Sequence, residues 1–141
     1  MSKIMTESEV EEACLGMLRD MGYDILYGPD ISEGGPAEER KYSEVVLTNR
    51  LRDALLRINK SIPQDAIDEA IKKVLRTESQ NQVVNNQDFH KLVANGIPVQ
   101  YKRADGSIKD ELVWLFDSQD IGKNEFLAVN QFTVIEERNN R

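Results

Sequence analysis

Residues 124–135 read NEFLAVNQFTVI, from Asn124 to Ile135. Phe126, Ala128, Phe132 and Val134 fall on one parity of this stretch, and Leu127, Val129 and Ile135 on the other. A strand that is apolar on both faces is covered on both faces, so the stretch is expected to be the central strand of a sheet. Within it Asn130 and Gln131 are amides that must find hydrogen-bond partners once buried.

Immediately upstream, Ile97–Arg103 and Glu111–Asp117 flank Ala104-Asp105-Gly106-Ser107. Asp-Gly between two apolar runs signals a tight hairpin turn. Together with the central strand this predicts a three-stranded antiparallel meander. Further back the period becomes helical. Asn86–Ala94 is a short helix ended by Asn95-Gly96. Ile67, Ala70, Ile71, Val74 and Leu75 form one apolar stripe, and Leu47, Leu51, Ala54, Leu55 and Ile58 another. These predict two antiparallel helices, the first from about Tyr42 and the second capped by Ser61 and Gln64 with Pro63 in its first turn.

At the N-terminal end Thr6-Glu7-Ser8-Glu9 has the form of a capping box. Val10, Cys14, Met17, Leu18 and Met21 follow at helical spacing, and Gly22 is placed to end the helix. Tyr23–Tyr27 is a short strand candidate. Residues 28–44, rich in Gly and Pro, read as a mobile loop. The expected fold class is therefore α+β, helices first and the meander last, in a single domain over residues 1–141.

Composition fits a soluble globular protein: 141 residues, 40% hydrophobic and 30% charged. No apolar run approaches the roughly 20 residues of a membrane span. The N-terminus has acids where a signal peptide would be apolar, so a cytoplasmic location is the default expectation. The lone Cys14 lies on the predicted apolar helix face and reads as a buried structural thiol. The net charge of −7 is unevenly placed. Residues 1–38 hold two basic and nine acidic residues, whereas residues 39–76 hold nine basic and six acidic. That middle segment could face phosphate or an acidic partner, although scattered Lys and Arg on helices are more often solvated faces.

Chemistry-bearing patterns are few. Pro29-Asp30 followed by Glu39-Arg40-Lys41 matches the PD…(D/E)xK pattern of Mg²⁺-dependent nucleases. That chemistry needs two carboxylates on the metal and a lysine on the water, fixed on adjacent strands. A Gly/Pro loop offers no such support, so the match reads as chance. His90 stands alone and reads as a packing or surface residue. Asp117, Asp120 and Glu125 could reach a cation at one end of the sheet, but acids at strand ends are commonplace.

Three blocks carry a family resemblance: VVLTNRLRDALLRINKSIPQDAIDEAI, NNQDFHKLVANGIPVQYKRADG and VWLFDSQDIGKNEFLAVNQFTVIEERNNR. In this order they resemble the N-terminal region of the restriction subunit (HsdR) of type I restriction-modification enzymes. The most specific element is Asn124, Phe126, Val129, Asn130, Gln131, Phe132, Thr133 and Val134. The resemblance implies an incomplete restriction-endonuclease-like domain of PD-(D/E)xK type. In the family the metal-binding Asp follows this string and the Glu-x-Lys lies on the next strand, so those residues are expected beyond Arg141. Glu7 or Glu11 is left as a supporting acid, against a plain reading of both as capping and solvated side chains.

The resemblance further implies Mg²⁺ and ATP as cofactors of the parent subunit. It implies DNA and the modification and specificity subunits as its partners. The fragment itself is expected to be catalytically silent, with no cofactor, small-molecule substrate or membrane contact. The alternative is a stand-alone docking module acting through residues 42–76.

Overall fold

The computed structural model describes residues 4–76 and 79–135. Its elements in order are α1 (Glu7–Asp20), β1 (Asp24–Tyr27), α2 (Gly28–Ile31), α3 (Thr48–Ile58), α4 (Gln64–Leu75), α5 (Gln82–Asn95), β2 (Ile97–Lys102), β3 (Ile108–Val113), a 3₁₀ turn (Ile121–Lys123) and β4 (Leu127–Asn130). The described residues form two compact units, one within residues 46–124 and the other of residues 4–45 with 125–135.

The continuous unit holds the apolar core. Leu55 of α3, Ala66, Ile67, Ala70 and Ile71 of α4, Ile97 and Val99 of β2 and Val113 of β3 bury together with Ile62. These come from the two helical stripes and the inward parity of the hairpin; Leu75, expected on the α4 stripe, is instead exposed at the last residue of that helix. β2 and β3 pair antiparallel from Ile97↔Val113 to Lys102↔Ile108. Their turn is closed by Arg103 N–H on the Ser107 carbonyl at 2.8 Å, with Gly106 at φ +86°. Asn59, only 7% exposed, ties α3 to the exit of β3. Its side chain donates to the carbonyls of Leu55 (3.0 Å) and Trp114 (2.9 Å) and accepts from the Trp114 amide (2.8 Å).

Several boundaries differ from expectation. α3 begins at Thr48, because the carbonyls of Tyr42 and Glu44 are held by Arg40 in the preceding loop. Pro63 is the N-cap of α4, with no side-chain cap from Ser61. α5 starts earlier than predicted, at Gln82, because the Asn81 side chain accepts the Val83 amide and opens the helix. β3 ends at Val113, where Asn59 takes over the backbone of Trp114.

The other unit overturns the meander. β4 pairs parallel with β1, in register from Asp24↔Leu127 to Tyr27↔Asn130, so each sheet has two strands. The bulk of residues 46–124 intervenes between these strands, and a strand returning from so long a crossover can lie parallel where a tight hairpin cannot. Asp24 N–H donates to the Phe126 carbonyl (2.8 Å), and the Tyr23 and Phe126 rings meet at 5.5 Å. β4 is half-buried along its length, so it is not the centre of the main core.

α1 carries the predicted capping box: the Thr6 Oγ1 accepts from Glu9 N–H and the Glu9 carboxylate accepts from Thr6 N–H. Its rotation differs from the prediction. Glu11 faces the end of β4, which turns Val10, Cys14, Met17 and Met21 outward. Cys14 is therefore exposed rather than buried. Residues 28–44 do not form an unpacked loop either: Ile31, Ser32 and Arg40 in it are each 2% exposed or less.

Candidate functional site

The end of β4 is where side chains from four parts of one unit converge. β1 and β4 run in the same direction, so their carboxyl ends, Tyr27 and Asn130, stand side by side. In open parallel sheets this is the end at which ligands bind. Gly28 follows directly. A Cβ there would lie 2.3 Å from the Gln131 carbonyl oxygen and 2.5 Å from that of Asn130, so only glycine lets the two backbones approach.

Glu11 reaches this corner from the second turn of α1. Its Oε1 accepts from Asn130 Nδ2 and Gln131 Nε2, both at 3.0 Å, and its Oε2 accepts from Gln131 Nε2 at 3.1 Å. The amides predicted to need partners thus share one carboxylate. Asn130 Oδ1 is buried beside it with no hydrogen-bond partner. Gln131 adopts φ +52°, a left-handed conformation uncommon for a residue with a side chain. The chain turns there as it leaves the strand.

From the other side comes Arg40, 2% exposed. Its Nε donates to the Glu44 carbonyl (2.7 Å), Nη1 to Ser32 Oγ (3.3 Å), and Nη2 to the carbonyls of Tyr42 (3.1 Å) and Thr133 (2.8 Å). Ser32 Oγ in turn donates to the Gly28 carbonyl at 2.7 Å. The guanidinium lies 3.9 Å from the centre of the Phe132 ring. Ile135 N–H donates to the Tyr42 carbonyl at 2.9 Å.

The corner offers hard oxygen atoms, the Glu11 carboxylate and the Asn130 carbonyl, of the type that Mg²⁺ prefers. One carboxylate and one amide oxygen do not make a metal site. Among the described residues no group of three or more His, Cys, Asp or Glu is placed to hold an ion. The residues present therefore fit only part of a ligand set.

The other candidates lie as follows. Glu7 is exposed in the first turn of α1, where its charge complements the helix dipole. Asp30 is exposed on the short α2, Glu39 and Lys41 lie in the loop, and Arg40 between them is buried. None of the four is on a strand. His90 is exposed on α5. In the other unit Asp117 Oδ1 accepts from the amides of Gln119 (3.0 Å) and Asp120 (2.9 Å), and Asp120 Oδ1 from Gly122 (3.2 Å). Those backbone donors hold the Asp117 carboxyl below its ordinary range, the Asp120 amide foremost. Both acids serve their own loop. A groove of about 440 Å³ beside β2 and β3 is lined by Glu69, Lys73, Asp110 and Glu111 among others. Its Lys73 is bonded to Glu69 and the Pro98 carbonyl, and its Glu111 to Tyr101.

The sequence marks Asn130 and Gln131 as amides that need partners and Glu11 as a candidate acid, but not their meeting; Asn130 is half-buried and Gln131, expected to be buried, is exposed because the chain turns out of the strand there. The sequence assigns no role to Arg40, which lies between Glu39 and Lys41 of the PD…(D/E)xK match; a basic residue between two predicted elements carries no periodic signal. The nearest cue is Gly28-Pro29 directly after β1, which marks a forced close approach.

A mixed α+β chain with a two-stranded parallel pair and an acid held at its carboxyl end is compatible with many folds, and comparison with known proteins narrows it. The chain belongs to the family described as type I restriction enzyme R protein N terminus, whose model matches residues 4–141. It is similar to the type I restriction enzyme HindI endonuclease subunit of Haemophilus influenzae, with 33% identity over 93% of this chain and 12% of that protein. It is also similar to the putative type I restriction enzyme MjaIXP endonuclease subunit of Methanocaldococcus jannaschii, with 28% identity over 94% of this chain and 13% of that one. The chain thus spans about an eighth of the length of these relatives. No solved structure matches it. Among the described residues no helix is long and apolar enough to cross a membrane.

Proposed function

We propose that this chain is the N-terminal portion of the endonuclease subunit of a type I restriction enzyme, and that the carboxyl end of its β1–β4 pair is the scaffold of a Mg²⁺-dependent nuclease centre. The observation that carries the reading is the placement of Glu11 against Asn130 and Gln131, within the string most specific to the family resemblance. Glu11 acts as a supporting acid: it orients the strand end and adds negative charge where a cation is to be held. Glu7 stands one turn earlier as the weaker candidate for the same role. The acids and lysine of the catalytic motif follow β4, and the free outer edge of β4 among the described residues is where their strand adds.

On this reading the whole subunit cleaves unmodified foreign DNA, uses Mg²⁺ and ATP, assembles with modification and specificity subunits and works in the cytoplasm. Residues 1–141 alone are catalytically silent. The docking alternative through residues 42–76 draws less support, because α3 and α4 bury their apolar faces on each other and on β2. Two of their cations are also bonded internally, Arg52 to Asp68 and Arg57 to the Lys123 carbonyl.

The test is plasmid cleavage with Mg²⁺ by this chain and by a longer one carrying the following strands of the same subunit. Cleavage by the longer chain only is expected, with Glu11→Gln lowering it about 10- to 100-fold, the usual loss when a group supporting a metal site is removed. Cleavage by the 141-residue chain would overturn the reading and return Asp30, Glu39 and Lys41 to consideration.

A further inference from the structure

We infer that Arg40 is a positioning residue of the nuclease centre, fixing the path of the chain as it leaves β4 and hence the placement of the acids that follow. The inference rests on the proposed function above.

The exit from β4 is held at successive residues. Gln131 is tied to Glu11, Phe132 lies against the Arg40 guanidinium, the Thr133 carbonyl accepts from Arg40 Nη2, and Ile135 N–H reaches the Tyr42 carbonyl. Arg40 thus makes two of these contacts itself. Through its bond to the Tyr42 carbonyl it also orients the acceptor of the last.

A side chain that merely filled this space would be cheaper if apolar, because burying a guanidinium carries a desolvation penalty. The planar fork does what an apolar group cannot. It reads carbonyl and hydroxyl oxygens of Ser32, Tyr42, Glu44 and Thr133 at once while presenting its face to Phe132. The residue so held is next to Gln131, whose φ of +52° persists because Glu11 and Arg40 grip the chain on either side of it. Backbone held in a sparsely populated conformation by over-determined contacts is a feature of sites that must present groups in one geometry.

The test uses the assembled full-length enzyme with Arg40→Lys, which keeps the charge and loses the fork, and Phe132→Leu, which keeps the bulk and loses the ring. The readouts are the Mg²⁺ concentration for half-maximal plasmid cleavage and deuterium uptake of residues 132–135. In Arg40→Lys the Mg²⁺ requirement is expected to rise about 10-fold or more. Cleavage partly recovers at saturating Mg²⁺, and uptake at 132–135 is faster with uptake at β2 and β3 unchanged. Phe132→Leu shifts both readouts in the same direction by less, and decides the matter if Arg40→Lys does not fold. Faster uptake with an unchanged Mg²⁺ requirement would reduce Arg40 to a structural role and overturn the inference, as would unchanged uptake. Absence of cleavage by the wild-type enzyme would instead overturn the proposed function, and the positioning role with it.

Discussion

Asn130 shows how much can hang on one amide. Its Nδ2 satisfies Glu11 at 3.0 Å while its own Oδ1 is left without a donor. Asn130→Asp replaces the donor with a second carboxylate beside Glu11. Like charges at that separation resist ionising together, and the variant is expected to lose about 2–4 kcal/mol in chemical denaturation at pH 7. A proton taken up by the pair relieves the repulsion, so the deficit should shrink as the pH falls toward about 4. A deficit independent of pH would mean the two carboxylates do not meet. Glu111 gives the opposite sign. The Tyr101 hydroxyl, donating at 2.6 Å, and secondarily Lys109 hold its carboxyl below the ordinary range. A depressed carboxyl contributes stability above its unfolded value and loses it as the pH falls through the folded one. In Tyr101→Phe the Glu111 titration followed by carboxyl NMR should move up toward the ordinary glutamate value, and an unmoved midpoint would discount the hydroxyl.

At the scale of elements, local chemistry was the most readable part of the chain. The Thr6 box opens α1 as written, and Thr6→Ala is expected to cost about 1 kcal/mol in thermal or chemical unfolding. Asp105-Gly106 makes the hairpin turn, and the stripes of α3 and α4 form the core. What local chemistry does not encode is which strand lies beside which. Both faces of residues 124–135 looked apolar, and that pattern does not distinguish a third antiparallel strand from a parallel partner of β1. The close approach at Gly28 is the structural cost of the parallel solution. Gly28→Ala would drive a methyl group into the carbonyls of Asn130 and Gln131, separating the strands, and should destabilise residues 4–45 and 125–135 by about 2 kcal/mol or more. Stability within error of wild type would show that the two backbones can part freely.

On the scale of the whole molecule, the candidate site was legible only in pieces. Glu11, Asn130 and Gln131 each carried a signal, but contact across 119 residues of sequence is a tertiary fact that no periodicity records. Arg40 carried none. The two units also differ in what holds them. The apolar cluster belongs to residues 46–124, whereas Ile31 is the buried core hydrophobe of the other unit among the described residues. Native-state hydrogen exchange should therefore find the amides of β1 and β4 opening on the order of 10-fold or more faster than those of β2 and β3, and equal protection would contradict this division. The parallel register of Asp24 with Leu127 has a kinetic side as well. With everything between them unfolded, joining these strands closes a loop of roughly a hundred residues, and little contact energy offsets the lost chain entropy before the strands meet. Collapse of the intervening segment first replaces that slack with a folded body. The chain should thus mature from its middle outward, Trp114 fluorescence reaching its native value in refolding before the Leu26 amide becomes protected, and the corner of Glu11 and Asn130 would be the last part of the molecule to exist.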